Sequence, residues 1–355
     1  MDHANQPLKA ASKYSDRARW KGGALEERAL YFKAEFVAHG MAARVIHALN
    51  QRKTILLATG DGRGLMILGA PNVGKTTLIR YLSAQYPPRV VRELLDPADE
   101  HSIVERTELD FVAVNIPNPC TFLSVCNAIL MAIGHPDCEG KDAATQKKLM
   151  MTSLTLARVV FLAVDNVQDI PELRGPKGTS NIGNLFREIV DECHVIVLLF
   201  GTAAAQIVVN ANDQLHRRGP GLLHLGPYDI TTAAGLGAAL LLIDQLDDAL
   251  PLAEKSDLAT LGKGSVGRGL ACAGDGKTGT IKEILIAALV HTLAAGRERM
   301  TKEDLKQGYD DLYLEYAEEV DPWADGFKPR RLSLPGEPHF TMIDVRHSKR
   351  AKGSA

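Results

Sequence analysis

Two rhythms of hydrophobic and polar positions divide this chain. Between about residues 60 and 228, short unbroken apolar runs alternate with stretches of helical spacing. The runs are Leu65–Leu68, Asp110–Ile116, Val159–Asp165 and His194–Phe200, and none leaves a regular polar face for solvent. Strands that read this way are covered on both sides, as in a parallel sheet. Leu78–Leu82, Phe122–Ile133, Ala143–Ala157 and Asn184–Cys193 read as helices between them. The alternation predicts an α/β fold, a parallel sheet flanked by helices. Val90–Leu95 reads as one more short strand, Asp96–Thr107 as a charged loop, and Ile170–Ile182 as a loop rich in Gly and Pro.

From Thr231 onward the strand rhythm stops. Ala233–Leu250, Leu258–Ala271, Thr280–Ala295 and Thr301–Glu318 all carry helical spacing, which predicts a separate all-helical domain. Thr301 to Asp304 has the form of a capping box, with Asp where Glu is usual. Upstream, Leu25–Leu49 reads as a helix whose Phe32, Phe36, Val45, Ile46 and Leu49 share one apolar stripe, and Thr54–Gly64 as a link into the first strand. The expected division is a basic N-terminal arm over 1–24, an α/β domain over 25–228, a helical domain over 229–319 and a tail over 320–355. Trp323, Phe327 and Phe340 sit in a Pro- and Gly-rich part of that tail, where little core is expected, so the segment reads as a tail or docking peptide.

Composition adds little. Of 355 residues, 45% are hydrophobic and 24% charged, as in ordinary globular proteins, and the length suits two packed domains. A net charge of -2 gives no global attraction to nucleic acid, so any such contact must be local. The 5 cysteines (Cys120, Cys126, Cys138, Cys193, Cys272) form no C-x-x-C pair, which suggests reduced thiols and a cytoplasmic protein. His135 and Cys138 are spaced like a metal pair, but no second pair follows, so zinc is not expected. No apolar run reaches membrane-spanning length.

The chemistry is concentrated in two places. Gly69-Ala70-Pro71-Asn72-Val73-Gly74-Lys75-Thr76, with Thr77 after it, fits G-x-x-x-x-G-K-[ST] at every fixed position. A strand precedes it and a helix follows, which is the context a phosphate-binding loop requires. Its glycines let backbone N–H groups close on phosphate oxygens, and the helix N-terminus adds its positive end. Lys75 is expected to reach the β- and γ-phosphates of ATP, and the Thr76 hydroxyl to bind Mg²⁺. The second place is the apolar run that ends in Asp165, a Walker B strand. Its carboxylate emerges at the carboxyl end of the sheet, where it can hold Mg²⁺ opposite Thr76.

These features together resemble an AAA+ ATPase: P-loop, Walker B strand, a strand ending in Gly201-Thr202, paired arginines Arg217-Arg218 after the next helix, then a helical lid. The wording around Arg63–Gly69, Asn115-Ile116-Pro117 and Val197–Thr202 resembles TniB and TnsC, the ATP-dependent regulators of DNA transposition. The resemblance implies sensor roles for Thr202 and Asn115, and an arginine finger at Arg217 or Arg218 acting in the neighbouring subunit. It also implies a basic sensor-2 residue in the lid, for which Lys282 or Lys277 stands in roughly the right place. The sequence departs from the pattern after Asp165, where many AAA+ proteins carry Glu and this chain has Asn166. An amide can hydrogen-bond water but cannot take its proton as a carboxylate does, so slow hydrolysis is expected.

The implied mechanism is a regulator that oligomerises with ATP on double-stranded DNA, as a ring or helical filament, and links a TniQ-like target-selection protein to a DDE-type transposase. Candidate contacts to DNA phosphates are Lys141, Lys147, Lys148, Arg174 and Lys177. Two alternatives fit the same residues. One is another AAA+ helper, such as a helicase loader or signalling ATPase, and the other a nucleotide-gated scaffold with little hydrolysis.

Overall fold

The structure is a computed structural model that describes residues 16–94, 103–136, 142–211, 221–259, 265–313 and 321–324. The chain folds as two units, one formed by the described residues of Gly40–Gly226 and the other by those of Met1–His39 with Pro227–Phe340.

In the first unit, helix α2 (Gly40–Thr59) leads to strand β1 (Leu65–Leu68) and helix α3 (Lys75–Gln85). Strands β4 (Phe111–Asn115), β5 (Phe161–Asp165), β6 (Ile196–Gly201) and β7 (Gly221–His224) join β1 in a five-stranded sheet of order β4-β5-β6-β1-β7. All four pairings are parallel. Helices α4 (Phe122–Ile133), α5 (Ala143–Leu156), α6 (Asp169–Cys193) and α7 (Gln206–Asn210) also belong to this unit. Every residue of β1, β5 and β6 is buried, as their apolar runs require. Ile129, Leu130, Leu154, Leu162, Val164 and Phe186 are fully enclosed in one core that contains side chains of α4, α5, α6 and the sheet. Each such burial contributes on the order of 2 kcal/mol. The parallel order brings the carboxyl ends of β1, β6, β5 and β4 to one edge, where ligands of open α/β sheets bind.

The second unit carries helix α1 (Leu25–Ala34), then α8 (Ala233–Ala249), α9 (Val266–Ala273), α10 (Thr278–Ala294) and α11 (Lys302–Leu312). Its core joins Phe32 of α1 to Leu242, Ile243, Leu270, Ile284, Leu289, Tyr309 and Trp323. Arg28, only 2% exposed, forms a two-pronged ion pair with Glu298 at 2.6 and 3.0 Å and donates through Nε to the Pro251 carbonyl. The capping box at α11 is present, with Thr301 and Asp304 bonding each other's backbone N–H groups, and Arg297 pairs with the same Asp304.

The structure corrects several sequence expectations. Leu25–Leu49 is two helices rather than one, because Glu35 takes an extended backbone and ends α1. Phe32 then enters the helical unit's core, so residues 25–39 group with that unit and not with the sheet. The segment read as a charged loop contains strand β3 (Ile103–Glu108), antiparallel to β2 (Arg89–Leu94). Its charges pair across the ribbon, Arg92 with Glu105 and Arg106 with Glu93, and that pairing hides a strand from a hydrophobic reading. Ile170–Ile182 is not a loop but lies in α6, which kinks at Gly175, a residue at φ +61 whose carbonyl accepts from the buried Thr179 hydroxyl. Trp323 belongs to the core rather than to a free tail: it is 4% exposed and its Nε1 donates to the Val266 carbonyl. Phe327 and Phe340 lie outside the described residues.

Candidate nucleotide site

Gly69 begins the loop between β1 and α3 at a point of close backbone approach. A β-carbon there would stand 2.1 Å from the Leu225 carbonyl oxygen and 2.7 Å from Val73 Cγ2. The Gly69 N–H donates to the Gly201 carbonyl at 2.9 Å, and the Leu225 N–H to the Leu68 carbonyl at 2.7 Å, so the junction of β1 and the loop is held from both sides. Gly74 closes the loop at φ +91 as the N-cap of α3, with Asn72 also left-handed at φ +59. That path presents the first-turn N–H groups of α3 as a cradle for an anion.

Lys75 folds back over this cradle. Its Nζ donates to the Gly69 and Ala70 carbonyls, both at 2.8 Å. Burial pushes its ammonium down to about 8, against the opposing pull of Asp165. Two carbonyl dipoles thus hold the charge where phosphate oxygens would exchange with them. The Thr76 hydroxyl donates to Asp165 Oδ2 at 2.7 Å, and Asp165 is 3% exposed at the end of β5. A hydroxyl and a carboxylate in contact are hard oxygen donors of the type Mg²⁺ takes beside a triphosphate, so the residues present fit that ion.

Three strand ends complete the site. Asn115 pairs in register with Asp165 across β4 and β5. The Asn166 backbone, left-handed at φ +59, donates to Asp165 Oδ1 at 2.9 Å. Thr202 follows β6, and its N–H donates to Gln168 Oε1 at 3.2 Å. The structure therefore gathers Lys75, Thr76, Asn115, Asp165, Asn166 and Thr202 at the carboxyl edge of one sheet. Gln168, which links Asn166 to Thr202, was missed by sequence reasoning. Its signal was available as a long amide within a turn, three residues after the Walker B aspartate.

Arg217, Arg218 and Lys141 lie outside the described residues, as does the side chain of Arg174. Lys147 is paired with Glu188 at 2.7 Å, while Lys148 and Lys177 are exposed. Lys282 caps the end of α1, donating to the Lys33 and Glu35 carbonyls at 3.0 and 2.5 Å, and burial lowers it to about 8. Lys277 is 3% exposed beside Asp275, with Nζ 3.5 Å from Oδ2. His135 meets the Ser153 hydroxyl at 2.7 Å, and Cys138 lies outside the described residues. No helix among the described residues is long and apolar enough to cross a membrane.

Comparison with known proteins agrees with this geometry. The family profile described as an AAA domain matches residues 59–208. No curated protein matches the chain in sequence. Among solved structures, the chain is similar to the ORC2 protein of Aeropyrum pernix as ADPNP–ADP complexes, at 16% identity and a TM-score of 0.53, covering 78% of this chain and 68% of that one. The ADP form of the same protein aligns at 17% identity and a TM-score of 0.53, covering 84% and 73%. The fold is that of an AAA+ P-loop domain followed by a helical part.

Proposed function

We propose that this chain, whose sheet carries the AAA+ fold, is an ATPase that assembles with ATP on double-stranded DNA and regulates transposition in the manner of TniB and TnsC. The observation that supports the nucleotide reading best is the contact between the Thr76 hydroxyl and the Asp165 carboxylate, beside a loop whose first residue can only be Gly.

ATP is the substrate. The N–H groups at the start of α3 bind its phosphate oxygens, and Lys75 exchanges two carbonyl partners for them. Thr76 and Asp165 would hold Mg²⁺, which supplies positive charge against the β- and γ-phosphates. Asn166 stands where a water-orienting Glu is usual. Its amide orients the attacking water but accepts no proton, so ATP binds well and turns over slowly. Thr202 and Asn115 take the sensor roles for the terminal phosphate that the resemblance implies. Arg217 or Arg218 of a neighbouring copy would complete the site, and a head-to-tail contact of that kind builds rings or helical filaments.

The DNA partner is read from the resemblance to TniB and TnsC, together with exposed cations such as Lys148 and Lys177. Phosphate contacts of this sort carry no base sequence. A DDE-type transposase and a TniQ-like protein are the expected protein partners, and the bacterial cytoplasm the expected place of action. Asn166 also favours a second reading, a nucleotide-gated scaffold in which hydrolysis is incidental.

Electron microscopy of the protein with duplex DNA and a non-hydrolysable ATP analogue tests the proposal. Ordered rings or filaments that need both additions support it. A chain that remains a single subunit with both present contradicts it.

A further inference from the structure

One side chain joins the turn after β5 to the turn after β6. Gln168 Oε1 accepts from the Thr202 N–H at 3.2 Å, and its Nε2 donates to Asn166 Oδ1 at 3.3 Å and Asp169 Oδ1 at 3.1 Å. The direction of the amide follows from chemistry. A backbone N–H can meet only the oxygen end, so the NH₂ end faces the two acceptors. Asn166 is then held twice, its backbone N–H on Asp165 and its side-chain oxygen on Gln168. The fold makes room for the bridge: a β-carbon at residue 201 would stand 2.9 Å from Gln168 Oε1 and 2.7 Å from Ala205 Cβ. A backbone bond from the Val167 N–H to the Phe200 carbonyl at 3.0 Å ties the same two turns.

We propose that Gln168 is a positioning residue of the nucleotide site, coupling Asn166 to Thr202 so that both respond to the terminal phosphate as one unit. Because Asn166 Oδ1 is taken by Gln168, Asn166 offers its NH₂ group to the site, a donor suited to a phosphate oxygen or to the oxygen of water. The same bridge holds Asp169, the first residue of α6, so a change at Asn166 is passed to the start of that helix as well as to Thr202. The inference rests on the nucleotide reading above and adds the device by which ATP is told from ADP.

Two substitutions separate the bridge's ends. Gln168→Met keeps the length and removes both polar groups. Gln168→Glu keeps an acceptor for Thr202 but sets a carboxylate against the oxygens of Asn166 and Asp169. Dissociation constants for ADP and for a non-hydrolysable ATP analogue are measured on each variant, together with kcat and KM for ATP. The expected result is ADP affinity within about twofold of wild type, analogue affinity reduced by roughly tenfold, and kcat reduced by a similar factor with KM less changed, the scale of one functional hydrogen bond. The Glu variant is expected to be the worse of the two. In an Asn166→Ala background, Gln168→Met should have little further effect, since the two act through each other. Wild-type discrimination in both variants overturns the proposal. So does an equal loss of both nucleotides, which marks a merely structural role, or an undiminished effect in the Asn166→Ala background. A wild-type chain that binds neither nucleotide removes the nucleotide reading itself, a result distinct from any of these.

Discussion

Replacing Gly69 by Ala should damage the sheet far more than replacing Gly74 by Ala, although both glycines belong to one loop. At Gly69 the new β-carbon would lie 2.1 Å from the Leu225 carbonyl oxygen. An ordinary contact needs more than 3 Å, so the backbone at Leu225 or Gly69 must retreat by about 1 Å. Both are pinned, Leu225 by its N–H on Leu68 at 2.7 Å and Gly69 by its N–H on Gly201 at 2.9 Å. Losing one or both of these buried bonds costs about 1–3 kcal/mol each, which puts Gly69→Ala at roughly 3–5 kcal/mol. Gly74 has no atom within 4 Å of a β-carbon and needs only its φ of +91, a strain of about 1–2 kcal/mol for Ala. Tryptophan fluorescence would miss the effect, because Trp20 and Trp323 both lie in the helical unit. Native-state hydrogen exchange at the residue 69 and Leu225 amides, the donors of these two bonds, reads the sheet directly. Equal protection losses in the two variants, or a larger loss for Gly74→Ala, would refute the steric argument.

Three further expectations follow from particular contacts. Arg28→Met leaves the Glu298 carboxylate without its two-pronged partner and should destabilise the helical unit by about 3 kcal/mol in urea, followed by tryptophan fluorescence; a change below about 0.5 kcal/mol would show the pair to be idle. His39 is buried against the Tyr228 hydroxyl at 3.0 Å, and burial lowers its imidazole from 6.5 to about 4. The unfolded chain therefore takes up its proton first, and the helical unit should lose stability as pH falls from about 6.5 to about 4, by on the order of 3 kcal/mol at most. His39→Gln should flatten that slope, and an unchanged slope would assign it to other groups. Asn166→Glu should raise ATP turnover at least about tenfold while leaving ATP affinity within about threefold, since a carboxylate can take the water's proton; equal turnover in a steady-state assay would show that water is activated elsewhere.

The sheet was legible because burial on both faces leaves an unmistakable apolar run, as at Val159–Asp165, and because a glycine loop must sit between a strand and a helix. The loop's spacing singled out Lys75 and Thr76, and the apolar run singled out Asp165; in the structure Thr76 meets Asp165 and Lys75 folds back over the same loop. The β2–β3 ribbon was not legible, since its stability comes from cross-strand charge pairs that look like a loop in sequence. Helix α6 was hidden by Gly175-Pro176, which reads as a breaker but is absorbed as a kink. The placement of α1 escaped because periodicity shows that a helix is amphipathic, not which core its stripe enters; Phe32 and Arg28 find theirs more than 200 residues away in sequence. Trp323 was misread for the same reason, its local sequence being loop-like while its partner, Val266, is remote. Gln168 forms no motif, and its one signal, a long amide three residues after Asp165, gains meaning only from the approach of two strand ends.

Calorimetric titration of MgATP into the wild-type protein and into Lys75→Ala tests the central claim most directly. The account predicts one nucleotide per wild-type chain, and a loss of affinity of at least about 100-fold when the Lys75 ammonium is removed, as expected for a buried cation facing phosphate. Equal binding by the two proteins, or no binding by the wild type, would contradict it.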